Sequence, residues 1–191
     1  MGEKYLFEAI NNIDLNILTS LHGLVQNPFL DRIMPYVTSL GNTGIIWIII
    51  SIIMICTKKH RTTGILCLSA LLLTTALGEG IIKHLVQRQR PYNHIDSLNL
   101  LISEPISYSF PSGHTGSSFA AATVIGSRMR KAAPWVFAFA ILIAFSRLYL
   151  MVHYLSDVLA GAMLGALSGV VVLKVYGGRV KRGGKTAENR K

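Results

Sequence analysis

Three cations and two histidines stand in this chain at spacings that suit phosphoryl chemistry. Lys83 and Arg90 are seven residues apart, two turns of a helix, so on one helix they point the same way. With Arg147 they would form a cluster of ammonium and guanidinium groups that can grip a phosphate and stabilise charge on its oxygens. Pro111-Ser112-Gly113-His114 falls where a loop enters a helix. The free N–H groups and positive dipole end there suit an anion, and Gly113 permits its close approach. His153 and Asp157 are i and i+4 in the first turn of a later helix, hence neighbours. A carboxylate on one imidazole nitrogen fixes the tautomer and leaves the other nitrogen free as a nucleophile. His114, on a different helix, is then available as general acid for a leaving oxygen.

Such groups need a scaffold, and the composition points to helices in a bilayer. Of 191 residues, 51% are hydrophobic and 15% charged, against about 25% charged in ordinary soluble domains. The mean hydropathy is +0.45, and the apolar residues come in blocks rather than in alternation. Crossing the hydrocarbon core takes roughly 20 helical residues, and only helices or closed barrels satisfy their backbone there. Residues 38–57, 62–82, 132–149 and 153–175 meet that test. Residues 113–127 are shorter and rich in Gly, Ser and Ala, which suits a central helix approached closely by its neighbours. Gly161, Gly165 and Gly169 repeat at four-residue intervals and mark a second close contact.

Before the spans, Leu6, Ile10, Ile13, Ile17, Leu21 and Leu24 recur at helical spacing. They make residues 1–27 an amphipathic helix lying in the interface or against the bundle. The expected fold is all-α, a polytopic transmembrane bundle of five spans, or six if the N-terminal helix crosses. The expected division is 1–27 amphipathic helix, 28–175 membrane-embedded domain and 176–191 basic tail. In the loop after the second span, residues 97–103 carry Leu98, Leu100, Leu101 and Ile102 outside any span. They either pack on the bundle or dip into the headgroups.

The net charge of +10 could suggest nucleic acid, but its distribution argues for topology. Lys58, Lys59 and Arg61 share one loop, and Arg128, Arg130 and Lys131 another. Lys174, Arg179, Lys181, Arg182, Lys185, Arg190 and Lys191 end the chain. These clusters alternate with the spans, so all face one side, the cytoplasm by the positive-inside rule. The expectation is a multi-pass cell-membrane protein with no nucleic-acid partner, its C-terminus inside and the Lys83–Arg90–His114–Arg147–His153 level outside. Ionisable groups at such depth are expensive and default to functional hypotheses. Arg88 alone fits a cation snorkelling to headgroups. Cys56 and Cys67 lie in or at the ends of spans and read as small apolar packers.

In order along the chain, Lys83-x6-Arg90-Pro91, Pro111-Ser112-Gly113-His114 and Ser146-Arg147-x5-His153-x3-Asp157 resemble the three-part signature of the type 2 phosphatidic acid phosphatase superfamily. Every fixed position matches. The resemblance implies a membrane-embedded bundle that removes phosphate from a lipid phosphate or diphosphate without metal or organic cofactor. It implies that Lys83, Arg90 and Arg147 hold the phosphate, helped by the Ser112 hydroxyl and the Gly113 backbone. His153 would attack phosphorus with Asp157 orienting it, and His114 would protonate the departing oxygen. Soluble vanadate-dependent haloperoxidases share the signature, and the apolar spans disfavour that branch.

Undecaprenyl diphosphate and phosphatidylglycerophosphate compete as expected substrates, with phosphatidic acid behind them. Small size and an outward site favour undecaprenyl diphosphate. His84, His94, His114 and His153 would also permit a zinc hydrolase, but Lys and Arg close by would repel a dication. An anion transporter would place its site near the midplane between repeats, whereas these residues gather at one end. No protein partner is legible.

Overall fold

The computed structural model describes residues 2–95 and 98–188, with side chains for residues 9–95 and 98–178. Leu6 of the apolar stripe, Ser97 of the loop, and Arg179, Lys181, Arg182, Lys185, Arg190 and Lys191 of the tail lie outside the described side chains. Eight α-helices follow one another with no strand among the described residues: α1 (Gly2–Val25), α2 (Pro28–Leu40), α3 (Ile45–Cys56), α4 (Arg61–Leu77), α5 (Lys83–Val86), α6 (Gly113–Arg128), α7 (Ala133–Tyr149) and α8 (Leu155–Glu188).

Three stretches are long and apolar enough to cross a membrane: Arg61–His94, Arg130–Tyr149 and Leu155–Gly178. The pair Pro28–Leu40 and Asn42–Cys56, bent by 44°, makes a fourth if taken as one span. Taken so, that span begins at Pro28 rather than at 38 and is broken near Gly41–Gly44, where Thr43 and Gly44 take positive φ. Helix α6 has only 16 residues, and nearly all of its middle is buried. It is the central helix that its Gly, Ser and Ala content predicts.

The broadest packing interface in the molecule is α6 on α8. Its closeness depends on glycine: a Cβ at Gly161 would meet the Ser112 carbonyl, and one at Gly165 the Gly116 carbonyl. Removing side chains at these crossings lets backbones touch, and dispersion then replaces the hydrophobic effect that lipid cannot supply. Trp47 on α3 is fully buried and donates its indole N–H to Ser118 Oγ on α6 at 2.9 Å. These contacts fix the N-terminus of α6 beside that of α8.

Helix α1 packs on α7 and α8, with a face that takes in Leu21 but leaves most of the described apolar stripe outside. Ile10, Ile13, Ile17 and Leu24 are exposed, whereas Asp14 and Leu18 are buried. The inward face is mixed: Leu15, Leu18 and Leu21 pack on the core, and Asp14 and His22 are turned in beside them because Arg88, Ser156 and Tyr149 offer partners there, an unpaired buried polar group being costly. In the α5–α6 loop, Leu98, Leu100 and Ile102 pack on the bundle. Leu101 is 45% exposed and Ile106 fully so.

Candidate active site

Two helix N-termini, two helix C-termini and one loop meet at one end of the bundle, around a cavity of about 320 Å³. Lys83, Arg90, Ser112, Gly113, His114, Arg147 and His153 all line it. Asp157 stands behind His153, fully buried. The basic loops at 57–60 and 129–132 lie at the other end of these helices.

Lys83 and Arg90 do meet, but not as neighbours on one helix. Helix α5 stops at Val86, Gln87 takes a left-handed conformation (φ 49°), and Arg90 returns in an extended segment. The two cations converge on Ser107, whose Oγ accepts from Lys83 Nζ at 3.1 Å and from Arg90 Nη2 at 3.2 Å. Arg90 is held further by the Ser107 carbonyl at 2.7 Å and the Val152 carbonyl at 2.8 Å. Arg147, at the end of α7, donates to Thr38 Oγ1 at 2.5 Å. Its Nε is buried with no hydrogen-bond partner. A guanidinium N–H left unpaired in a buried site carries a desolvation penalty, which an arriving anion would remove.

His153 and Asp157 also meet by a different geometry from the expected helical turn. His153 lies in the connection before α8, which starts at Leu155. Asp157 reaches back to accept the Tyr154 N–H at 2.9 Å, as an acidic side chain in a helix's first turn does. The same Oδ2 is 3.4 Å from His153 Nδ1. On the other side of the ring, Arg90 Nη1 is 3.2 Å from Nε2. Arginine has no acceptor, so this contact requires a lone pair on Nε2 and puts the ring proton on Nδ1. Burial, and then Arg90, Arg147 and Lys83, push the His153 imidazole well below its ordinary range. It is a neutral ring whose Nε2 lone pair is engaged by Arg90 at the cavity wall.

Helix α6 begins at Gly113 with Ser112 as its N-cap, and Ser112 Oγ accepts from Thr115 N at 3.4 Å. The Ser112 N–H donates to the Asp157 carbonyl at 3.0 Å, which ties this turn to the start of α8. His114 Nε2 is 2.9 Å from Asn42 Oδ1 in the α2–α3 break. His84 and His94 are exposed, and no three His, Cys, Asp or Glu side chains are placed to hold a metal among the described residues.

Sequence reasoning missed Asn42, Thr38, Ser107, Glu79, Asp14 and Arg88. Arg88 is no snorkelling residue: it is 3% exposed. Its guanidinium joins Asp157 Oδ1 at 2.7 Å, Asp14 Oδ2 at 2.7 Å and Asn11 Oδ1 at 2.9 Å. It also stacks 3.9 Å above the Tyr154 ring. Asp14 in turn accepts from the Ser156 hydroxyl. The available signal was Asp14 itself, a carboxylate set between Ile13 and Leu15 in α1.

Comparison with known proteins fits this geometry. An undecaprenyl-diphosphatase of Sulfolobus acidocaldarius is 29% identical over 160 residues, 81% of this chain and 75% of that protein. A decaprenylphosphoryl-5-phosphoribose phosphatase of Mycobacterium tuberculosis is 33% identical over 158 residues, 82% of this chain and 86% of that protein. The crystal structure of a transmembrane PAP2-type phosphatidylglycerolphosphate phosphatase from Bacillus subtilis matches with a TM-score of 0.71 at 27% identity. It covers 91% of this chain and 89% of that one. The PAP2 superfamily profile matches residues 64–181, a stretch that encloses the cavity residues from Lys83 to Asp157, and the chain belongs to that superfamily, among its membrane lipid phosphatases.

Proposed function

We propose that this enzyme removes the terminal phosphate of undecaprenyl diphosphate at the outer membrane face, through a phosphohistidine on His153. The observation that carries the mechanism is the lone pair on His153 Nε2, facing a cavity shared by three cations, one of them with an unpartnered buried N–H. Lys83, Arg90 and Arg147 take the phosphate oxygens, with the Gly113 backbone and Ser112 hydroxyl at the helix N-terminus. Arg90 Nη1 passes from Nε2 to an oxygen, and Nε2 attacks phosphorus. As the ring gains positive charge, Asp157 stabilises it through Nδ1–H. The bond to the lipid phosphate oxygen breaks, and His114 supplies the proton that this oxygen takes. His114 acts in that step as the imidazolium and returns to the neutral ring, with Asn42 Oδ1 2.9 Å from Nε2 orienting it. Water, activated by His114, then cleaves the phosphohistidine and releases inorganic phosphate. Lys and Arg give the electrophilic assistance, so the reaction is assigned no metal and no organic cofactor.

Helix α6 serves as the fifth span, surrounded by the others, and α1 lies across the outer end. With the basic loops in the cytoplasm, the cavity opens outward.

The polyprenyl substrate rests on the two relatives above, whose names specify undecaprenyl and decaprenyl lipids. The Bacillus subtilis structure favours a second reading, phosphatidylglycerophosphate. Phosphate release by the purified protein in detergent separates them. Undecaprenyl diphosphate, phosphatidylglycerophosphate and phosphatidic acid are compared at equal surface concentration. The expected result is the highest kcat/KM on undecaprenyl diphosphate, and a higher value on phosphatidylglycerophosphate transfers the assignment to it.

A further inference from the structure

The cavity contains a carboxylate that the mechanism above does not use. Glu79 lies on a π-helical turn, Gly78–Ile82, between α4 and α5. Such turns re-aim side chains and are frequent at functional sites. Glu79 Oε1 is 2.8 Å from Lys83 Nζ, and its side chain is 42% exposed where that of Lys83 is 6% exposed. A Cβ added to Gly113 would overlap the same Oε1, so the carboxylate also rests on the first residue of α6. An ammonium group and a helix N-terminus are the two kinds of anion partner assigned above to phosphate. Glu79 stands on both.

We propose that Glu79 is a built-in competitor for the substrate's phosphate, holding Lys83 in the resting site, yielding it to the incoming group and reclaiming it as inorganic phosphate departs. The inference rests on the assignment of Lys83, Arg90 and Arg147 to phosphate. Three cations around one phosphate would hold substrate and product alike, and equal binding of both does not accelerate turnover. Asp157 cannot moderate the cluster, because Arg88 already engages it at 2.7 Å. Glu79, paired with Lys83 at the cavity wall, can. Repulsion between a carboxylate and a phosphate held by the same ammonium, at the effective dielectric of a partly exposed site, is enough to change affinity about ten-fold or more. A merely structural Glu79 would act in the opposite sense, since losing the partner that orients Lys83 would weaken anion binding.

The sign of the effect is therefore the test. Full-length protein in detergent is titrated with orthovanadate and, separately, inorganic phosphate. The readout is the anion concentration that gives half-maximal thermal stabilisation, which requires no turnover. Glu79→Gln should bind both anions about ten-fold or more tightly than the parent, and Glu79→Asp, which keeps the charge, should stay close to it. In steady state, Glu79→Gln should lower KM and kcat together as phosphate release slows. Unchanged or weaker anion binding in Glu79→Gln, with the parent binding normally, overturns the Glu79 inference alone. Failure of the parent to bind either anion removes the phosphate cradle as well.

Discussion

At the scale of single residues, the two histidines differ in what surrounds them, and the proposed division of their work rests on that difference. His153 has a carboxylate 3.4 Å from Nδ1 and an arginine 3.2 Å from Nε2, so its lone pair is on Nε2 and is released when Arg90 turns to the phosphate. His114 has an amide oxygen at 2.9 Å from Nε2 and no carboxylate partner, which suits a proton donor. His153→Ala should abolish both turnover and the covalent phosphoenzyme trapped by acid quench. His114→Ala should lose most activity on a lipid substrate and much less on p-nitrophenyl phosphate, whose leaving group hardly needs a proton. Phosphohistidine that persists in His153→Ala but vanishes in His114→Ala would exchange the two roles. The convergence of these residues was legible because each stands in a short motif beside glycine, serine or a second charge. Asn42, Ser107 and Arg88 were not, since their partners lie 72, 24 and 69 residues away and no local spacing links them.

Among the elements, hydropathy revealed the helices but not their breaks. The bend at Gly41–Gly44 and the π-turn at Gly78–Ile82 sit inside apolar runs that read as continuous. Both carry cavity residues, Gly41, Thr43 and Gly44 at the first and Glu79 at the second. The packed face of α1 was not legible because its apolar residues are spread over two sides: Leu15, Leu18 and Leu21 pack inward beside Asp14, while Ile10, Ile13, Ile17 and Leu24 stay exposed. Asp14 thereby becomes part of the support for Asp157, through Arg88. Removing one partner of a buried ion pair costs about 3–5 kcal/mol, and here the freed guanidinium would draw Asp157 away from His153. Asp14→Asn should lower kcat about ten-fold or more on every substrate while leaving KM nearly unchanged, with Asp14→Glu restoring part of the loss. A thermal midpoint that falls with kcat intact would make α1 a purely structural clamp.

For the whole molecule, the sidedness of the site decides which pool of lipid phosphate it can reach. The site and the two basic loops lie at opposite ends of the same helices, so one measurement of orientation settles both. Lys59 and Lys131 are exposed in the loops at one end and Asn99 is exposed in the loop beside the cavity. Cationic loops resist translocation, whereas Lys83, Arg88, Arg90 and Arg147 are buried, paired or turned into the cavity. The buried cations are shielded by protein and do not compete with the loops in setting the sidedness. Single cysteines at 59, 99 and 131 can be probed in intact cells with a membrane-impermeant thiol reagent. The background should carry Cys56→Ala and Cys67→Ala, because Cys56 is exposed near the 57–60 loop while Cys67 is buried. Labelling at 99 alone is expected before permeabilisation, and at all three positions afterwards. Labelling at 59 and 131 but not at 99 would place the cavity on the cytoplasmic face. Lipid diphosphates exposed outside would then be out of reach, and a cytoplasmic-face lipid phosphate would have to be the substrate.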